Sequence, residues 1–145
     1  MKALIQRVKQ ATVTINNEIY SSIGFGILAL ICVEKGDTID NANKMADKLS
    51  KLRIFEDENE KMNKSITDVQ GEMLIVSQFT LAGDCKKGTR PSFDKAAPPD
   101  EAKKLYEDFV SIMKSKNIPV KTGQFQAMMD ISLINNGPVT FMLEF

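Results

Sequence analysis

Apolar and polar residues roughly alternate from Ala3 to Ile15, where Val8, Ala11, Val13 and Ile15 keep a period of two with a phase slip around Lys9 and Gln10. That period is a β-strand's, and the slip reads as a bulge. Asn16-Asn17 separates this run from Glu18 to Ile23, and asparagine tolerates the left-handed backbone of a tight turn, so an N-terminal β-hairpin is predicted. Ile27 to Val33 is almost wholly apolar, the pattern of a central strand covered on both faces. Beyond a turn at Glu34 to Thr38, the positions Ile39, Ala42, Met45, Ala46, Leu49 and Leu52 share one helical face and predict a helix over 39–52. Met73 to Leu81 returns to strand character. Ala82 to Pro98 has few apolar residues, and a loop this long in a compact domain is usually functional. Pro98-Pro99 precedes a second helical stripe of Ala102, Leu105, Tyr106, Phe109, Val110 and Met113, which reads as core packing. Met129 to Ile134 and Val139 to Phe145 read as strands, with Asn135-Asn136-Gly137-Pro138 between them as a turn.

Five or more strands against two helices predict a single α/β domain over 1–145, its sheet curled towards a barrel. The length of 145 residues suits one domain. Lys and Arg total 19, as do Asp and Glu, so nucleic acid can be held only through a local basic patch. The chain has no histidine, which removes the usual neutral-pH base, the middle member of a Ser-His-Asp triad and the commonest metal ligand. Cys32 and Cys85 form no CxxC, so neither a disulfide framework nor a zinc cluster is expected. The acidic run Glu56 to Glu60 lacks the spacing of a calcium loop and reads as a solvated loop. No apolar run reaches the roughly 20 residues of a membrane helix. The expectation is a cytoplasmic protein, intact from Met1, with no metal, no cofactor and no membrane partner.

Three segments hold more special residues than packing needs: Ser77-Gln78-Phe79-Thr80-Leu81, the basic loop Asp84 to Phe93, and Asn135-Asn136-Gly137-Pro138-Val139-Thr140. Taken singly, Ser77 and Thr80 read as strand-end hydroxyls without an activating base, and Lys86, Lys87 and Arg90 as a solvated face. In this order and combination they closely resemble the D-aminoacyl-tRNA deacylases, also called D-tyrosyl-tRNA deacylases. The resemblance runs through nearly the whole chain: Ala3 to Val8, Val33 to Asp37, Leu52 to Asp57, Lys61-Met62-Asn63, Ser77 to Leu81, Lys87 to Phe93, Ala96 to Pro99, Thr122-Gly123 and Asn135 to Thr140. Two departures stand out. Gln126 follows Phe125 where the family usually has glycine, and Asn136 stands where Asp is common.

The resemblance implies a barrel-like, mainly antiparallel protomer and a homodimer, with Ser77, Gln78, Phe79 and Thr80 of one chain facing a cis Gly137-Pro138 of the other. It implies hydrolysis of D-aminoacyl-tRNA, and of glycyl-tRNA, without a protein nucleophile. The substrate ester is already activated, and backbone N–H groups around Phe79 and Thr80 could hold the oxyanion. In the family the 2′-hydroxyl of the terminal adenosine assists. A rigid backbone at the α-carbon would exclude an L side chain while admitting a D side chain or none. Arg7 matches a family position and is a candidate to pair with carbonyls near Gly137-Pro138, its rival reading being an ordinary surface arginine. Lys86, Lys87 and Arg90 are candidate RNA contacts, flanked by Lys103, Lys104, Lys114 and Lys116, with no DNA partner expected. Three alternatives stay open: Thr80 as a covalent nucleophile, a general small-ester hydrolase, and a silent RNA-binding or interaction module.

Overall fold

The computed structural model describes residues 1–145 and carries the strands β1 (Lys2–Ile15), β2 (Glu18–Ile23) and β3 (Gly26–Cys32), then helix α1 (Ile39–Lys51). A small hairpin of β4 (Phe55–Glu56) and β5 (Met62–Lys64) follows, then β6 (Glu72–Ser77), a 3-10 turn (Phe79–Ala82), α2 (Pro99–Lys114), β7 (Val120–Thr122) and β8 (Asp130–Glu144). β1 is the organising strand. One of its edges pairs antiparallel with β3 over residues 2–8 and with β2 over residues 11–15, while the other pairs antiparallel with β8. β3 and β6 run parallel, as do β6 and β7, so the sheet is mixed, with three antiparallel and two parallel pairings. The sheet curls until β2 approaches β7, where Ser21 Oγ donates to Thr122 O at 2.8 Å. This is a nearly closed barrel-like sheet with two helices on one face.

The expected slip in β1 is a bulge. Val8 and Gln10 stand opposite the adjacent β8 residues Asn135 and Ile134, two steps on one strand against one on the other. Ala3 and Ile5 therefore join the helix-side core with Ile27, Ile31, Met45, Leu49, Phe109 and Met113. Val8, Ala11 and Val13 instead join the smaller cluster of Leu28, Leu74 and Val76 on the opposite face. β3 lies between the two, which is why its residues are nearly all buried and apolar. Asn16 and Asn17 both take positive φ (52° and 66°), as the hairpin turn demands.

Two expected boundaries move, at Leu81 and at Asn135 to Pro138, while the acidic run is the expected solvated loop. The strand predicted to Leu81 stops at Ser77, and Phe79–Ala82 winds into the 3-10 turn. The acidic run is the tip of the β4–β5 hairpin, where the Asp57 carboxylate accepts from the N–H groups of Asn59 and Lys61 and from Asn63 Nδ2. Asn135 to Pro138 does not reverse the chain. β8 continues along β1 on both sides of it, and between the pairs Gln6–Thr140 and Val8–Asn135 it accommodates three more residues than β1 does. The segment is an outward excursion of one strand.

Candidate active site

β6 delivers Ser77 and Gln78 to the end of the parallel pair, where Gln78 N–H still donates to Ile31 O at 2.7 Å. The backbone then turns, and Leu81 N–H makes the first turn bond to Gln78 O at 3.3 Å. The N–H groups of Phe79 and Thr80 precede that bond and have no acceptor within the turn. Gln78 Nε2 donates to Thr80 Oγ1 at 2.5 Å. A carboxamide cannot take up a proton near neutral pH, so the only side chain that touches the Thr80 hydroxyl is no general base. Below the turn, the Cys32 thiol lies 3.6 Å from Phe79 O. Burial, reinforced by the Glu34 charge, pushes that thiol up to about 11, so it is neutral at physiological pH.

Ser77, Gln78, Phe79 and Thr80 form one wall of a groove of about 1100 Å³. Ala96, Ala97, Pro98 and Ala102 contribute to its lining, as do Lys35 and the segment from Phe125 to Met129. Phe79 is 55% exposed, with its ring edge-on to Phe93 at 5.1 Å between centroids. The groove is thus largely apolar. Within its lining, polar groups come mainly from the Ser77–Thr80 wall, Lys35 and Gln126.

Gly137 and Pro138 are exposed at the apex of the β8 excursion, their peptide bond is cis, and neither lines this groove of the same chain. The excursion is held from its base. Arg7 is 5% exposed; its Nε donates to Asn136 O at 2.8 Å and its Nη1 to Ile54 O at 2.7 Å, and its Nη2 lies 3.3 Å from Glu56 Oε1. The surface-arginine reading is thereby overturned: Arg7 points to the helix-side face of β1, where the guanidinium ties three segments together. Asn135 closes the loop from the other side, its Nδ2 donating to Arg7 O at 3.0 Å and to Val139 O at 3.2 Å. Asn136 contributes only its carbonyl to Arg7, so Asn in place of Asp leaves that contact intact.

A family model described as D-Tyr-tRNA(Tyr) deacylase matches residues 4–144. The D-aminoacyl-tRNA deacylase of Thermodesulfovibrio yellowstonii is 58% identical over 143 residues, covering 99% of this chain and 98% of that protein. The chain belongs to the D-Tyr-tRNA(Tyr) deacylase family. The D-aminoacyl-tRNA deacylase of Geobacter sulfurreducens is 56% identical, covering 99% and 95% of the two chains. A solved structure named c-Myc DNA Unwinding Element Binding Protein superposes with a TM-score of 0.95 at 41% identity, covering 100% of this chain and 99% of that one. Another, described as a probable eukaryotic D-amino acid tRNA deacylase, shares the fold with a TM-score of 0.83 at 19% identity, over 98% and 97% of the chains.

Within this member of the family, the structure gathers some of the expected residues and separates others. Ser77 to Thr80 share one wall, and Arg7 sits beneath Gly137-Pro138. Lys86, Lys87 and Arg90 lie on an exposed loop outside the groove, tied at its base by paired hydrogen bonds between Asp84 and Ser92. Lys86 instead lines a hollow with Lys2 and Lys95. Sequence reasoning missed Lys35, which stands on the groove itself, and Asn135 as the clasp of the excursion. Lys35 follows a strand end and so carried a placement signal; Asn135 bonds across 128 residues of sequence and carried none.

Proposed function

We propose that this chain hydrolyses the ester of D-aminoacyl-tRNA and of glycyl-tRNA(Ala), spares L-aminoacyl-tRNA, and works as a cytoplasmic homodimer. The observation that carries this reading is the split site. Phe79 and Thr80, whose N–H groups make no hydrogen bond, line an open groove, while the exposed Gly137-Pro138 apex lies outside that groove on a braced excursion. A second copy can supply that apex. β8 is an unpaired edge that exposes Ile134, Phe141 and Met142, surface that a partner strand or face would cover.

In the composite site a water oxygen attacks the ester carbonyl, and the developing oxyanion takes hydrogen bonds from the Phe79 and Thr80 N–H groups. The carbon–oxygen bond to the terminal ribose then breaks, and the water's proton ends on the departing ribose oxygen. The neighbouring 2′-hydroxyl is placed to relay that proton. Gly137 and Pro138, backbone without a projecting polar side chain, would crowd the α-carbon so that only hydrogen fits on one side. Lys86, Lys87, Arg90 and Lys35 are offered to the RNA phosphates.

The decisive measurement is deacylation of D-Tyr-tRNA, L-Tyr-tRNA and Gly-tRNA in parallel, by wild type and Gly137→Ala. We expect rapid loss of the D and glycyl esters with the L ester intact. A Cβ at Gly137 would lie 1.9 Å from Val139 N, so the apex must move and the activity should fall at least about a hundredfold, on the scale of losing one oxyanion donor. No cleavage of any ester above buffer would overturn the reading in favour of a silent binding module.

A further inference from the structure

Gln126 occupies a backbone conformation that glycine takes more cheaply. It lies in the turn closed by Ala127 N–H to Gln124 O at 3.2 Å, with φ at +63°. For a residue with a Cβ, left-handed backbone brings Cβ against the following carbonyl oxygen, a crowding that glycine avoids. Five other non-glycine residues have positive φ: Asn16, Asn17, Glu60, Gln70 and Asn117. None of these lines the groove, whereas Gln126 stands on it together with the Ser77–Thr80 wall. Its carboxamide makes no hydrogen bond within the chain, while that of Gln78 is engaged with Thr80. Around it lie Phe125, Ala127, Met128 and Met129, apolar and polarizable surface against which a flat ring can rest.

A free carboxamide presents one donor edge and one acceptor edge side by side. That pattern is complementary to the N7 acceptor and N6 donor of adenine, which glutamine reads in bidentate fashion. A phosphate offers only acceptors, and among D-amino acid side chains only the carboxamides of D-Asn and D-Gln carry such a pattern, whereas the terminal adenine is the same in every aminoacyl-tRNA. We propose that Gln126 is a specificity-determining residue that reads the N6/N7 edge of the terminal adenine of the aminoacylated RNA. The inference rests on the deacylase reading above. It adds to that reading a base contact made by a side chain that the turn would accept more cheaply as glycine.

The test is steady-state hydrolysis of D-Tyr esters on tRNA ending in adenosine and on tRNA ending in purine riboside, which lacks only the N6 amino group. Wild type, Gln126→Ala and Gln126→Gly are compared, the glycine variant relieving the left-handed strain so that folding is not at issue. For wild type, loss of the amino group should raise KM about tenfold, within the range of one bidentate base contact. Both variants should already show the higher KM with adenosine and be indifferent to the amino group. Equal KM for the two RNAs with wild type would overturn the proposal, as would variants that keep the wild-type KM and its sensitivity. An effect of the variants on D-Tyr esters but not on glycyl esters would place Gln126 against the amino acid and overturn it too. Failure of wild type to cleave any aminoacyl-tRNA would instead remove the deacylase reading, and this inference with it.

Discussion

Arg7 ties β1 to the β8 excursion and to the Ile54–Glu56 segment, and its deletion would strand the buried Ile54 carbonyl and the partly buried Asn136 carbonyl. Each unsatisfied group costs about 1–3 kcal/mol, so Arg7→Ala should lower stability on the order of 3 kcal/mol in urea unfolding. Arg7→Lys should recover only part, since a single ammonium cannot fork to both oxygens. Cys32 gives a pH signature. Its folded thiol titrates near 11 against an ordinary 9.0, so between those values the folded chain binds the extra proton and stability falls as pH rises. Cys32→Ala should flatten the unfolding free energy across pH 9 to 11 relative to wild type. Thr80→Ala should keep activity within about tenfold, because the hydroxyl's only side-chain neighbour is an amide, and removing it leaves the backbone donors in place. A loss comparable to that of Gly137→Ala would restore Thr80 as nucleophile. At this scale residue types were legible in sequence, but their partners were not, since the Arg7 contacts cross 47 and 129 positions.

The element scale is governed by close approach and by interruptions of pairing. A Cβ on Gly26 would fall 1.8 Å from Glu72 O, so the start of the parallel β3–β6 pair depends on a bare α-carbon there. Gly26→Ala should destabilise the chain by about 1–3 kcal/mol, read as a lower denaturation midpoint with the slope unchanged. The helices and β1 to β3 were readable because period and turn chemistry are local. The β1 bulge was visible as a phase slip for the same reason. The β8 excursion was not readable: Asn-Asn-Gly-Pro has the chemistry of a turn, and only pairing to β1 on both sides makes it a loop within one strand. The 3-10 turn was missed likewise, because Phe79 to Leu81 is apolar enough to extend a strand.

For the whole molecule, the separation of the Ser77–Thr80 wall from Gly137-Pro138 makes subunit complementation the sharpest check of a shared site. Two inactive variants, one altered at Gly137 and one at the Phe79–Thr80 turn, should regain about a quarter of wild-type activity when unfolded and refolded together. Half the dimers are then mixed, and each mixed dimer assembles one intact site of two. No recovery would mean that each chain works alone. The pattern of the sequence by itself determined the strand-and-helix inventory, the single domain, the exclusion of imidazole chemistry and the motifs that carry the family resemblance. All of these are written in near-neighbour spacing or in composition. Tertiary structure alone decided that the sheet is mixed, that Arg7 is buried beneath the excursion, that Lys35 and Gln126 stand on the groove, and that the basic loop does not. Those outcomes depend on which strand edges meet, and pairing between segments distant in sequence, such as β3 with β6 or β1 with β8, leaves no periodic trace in either one.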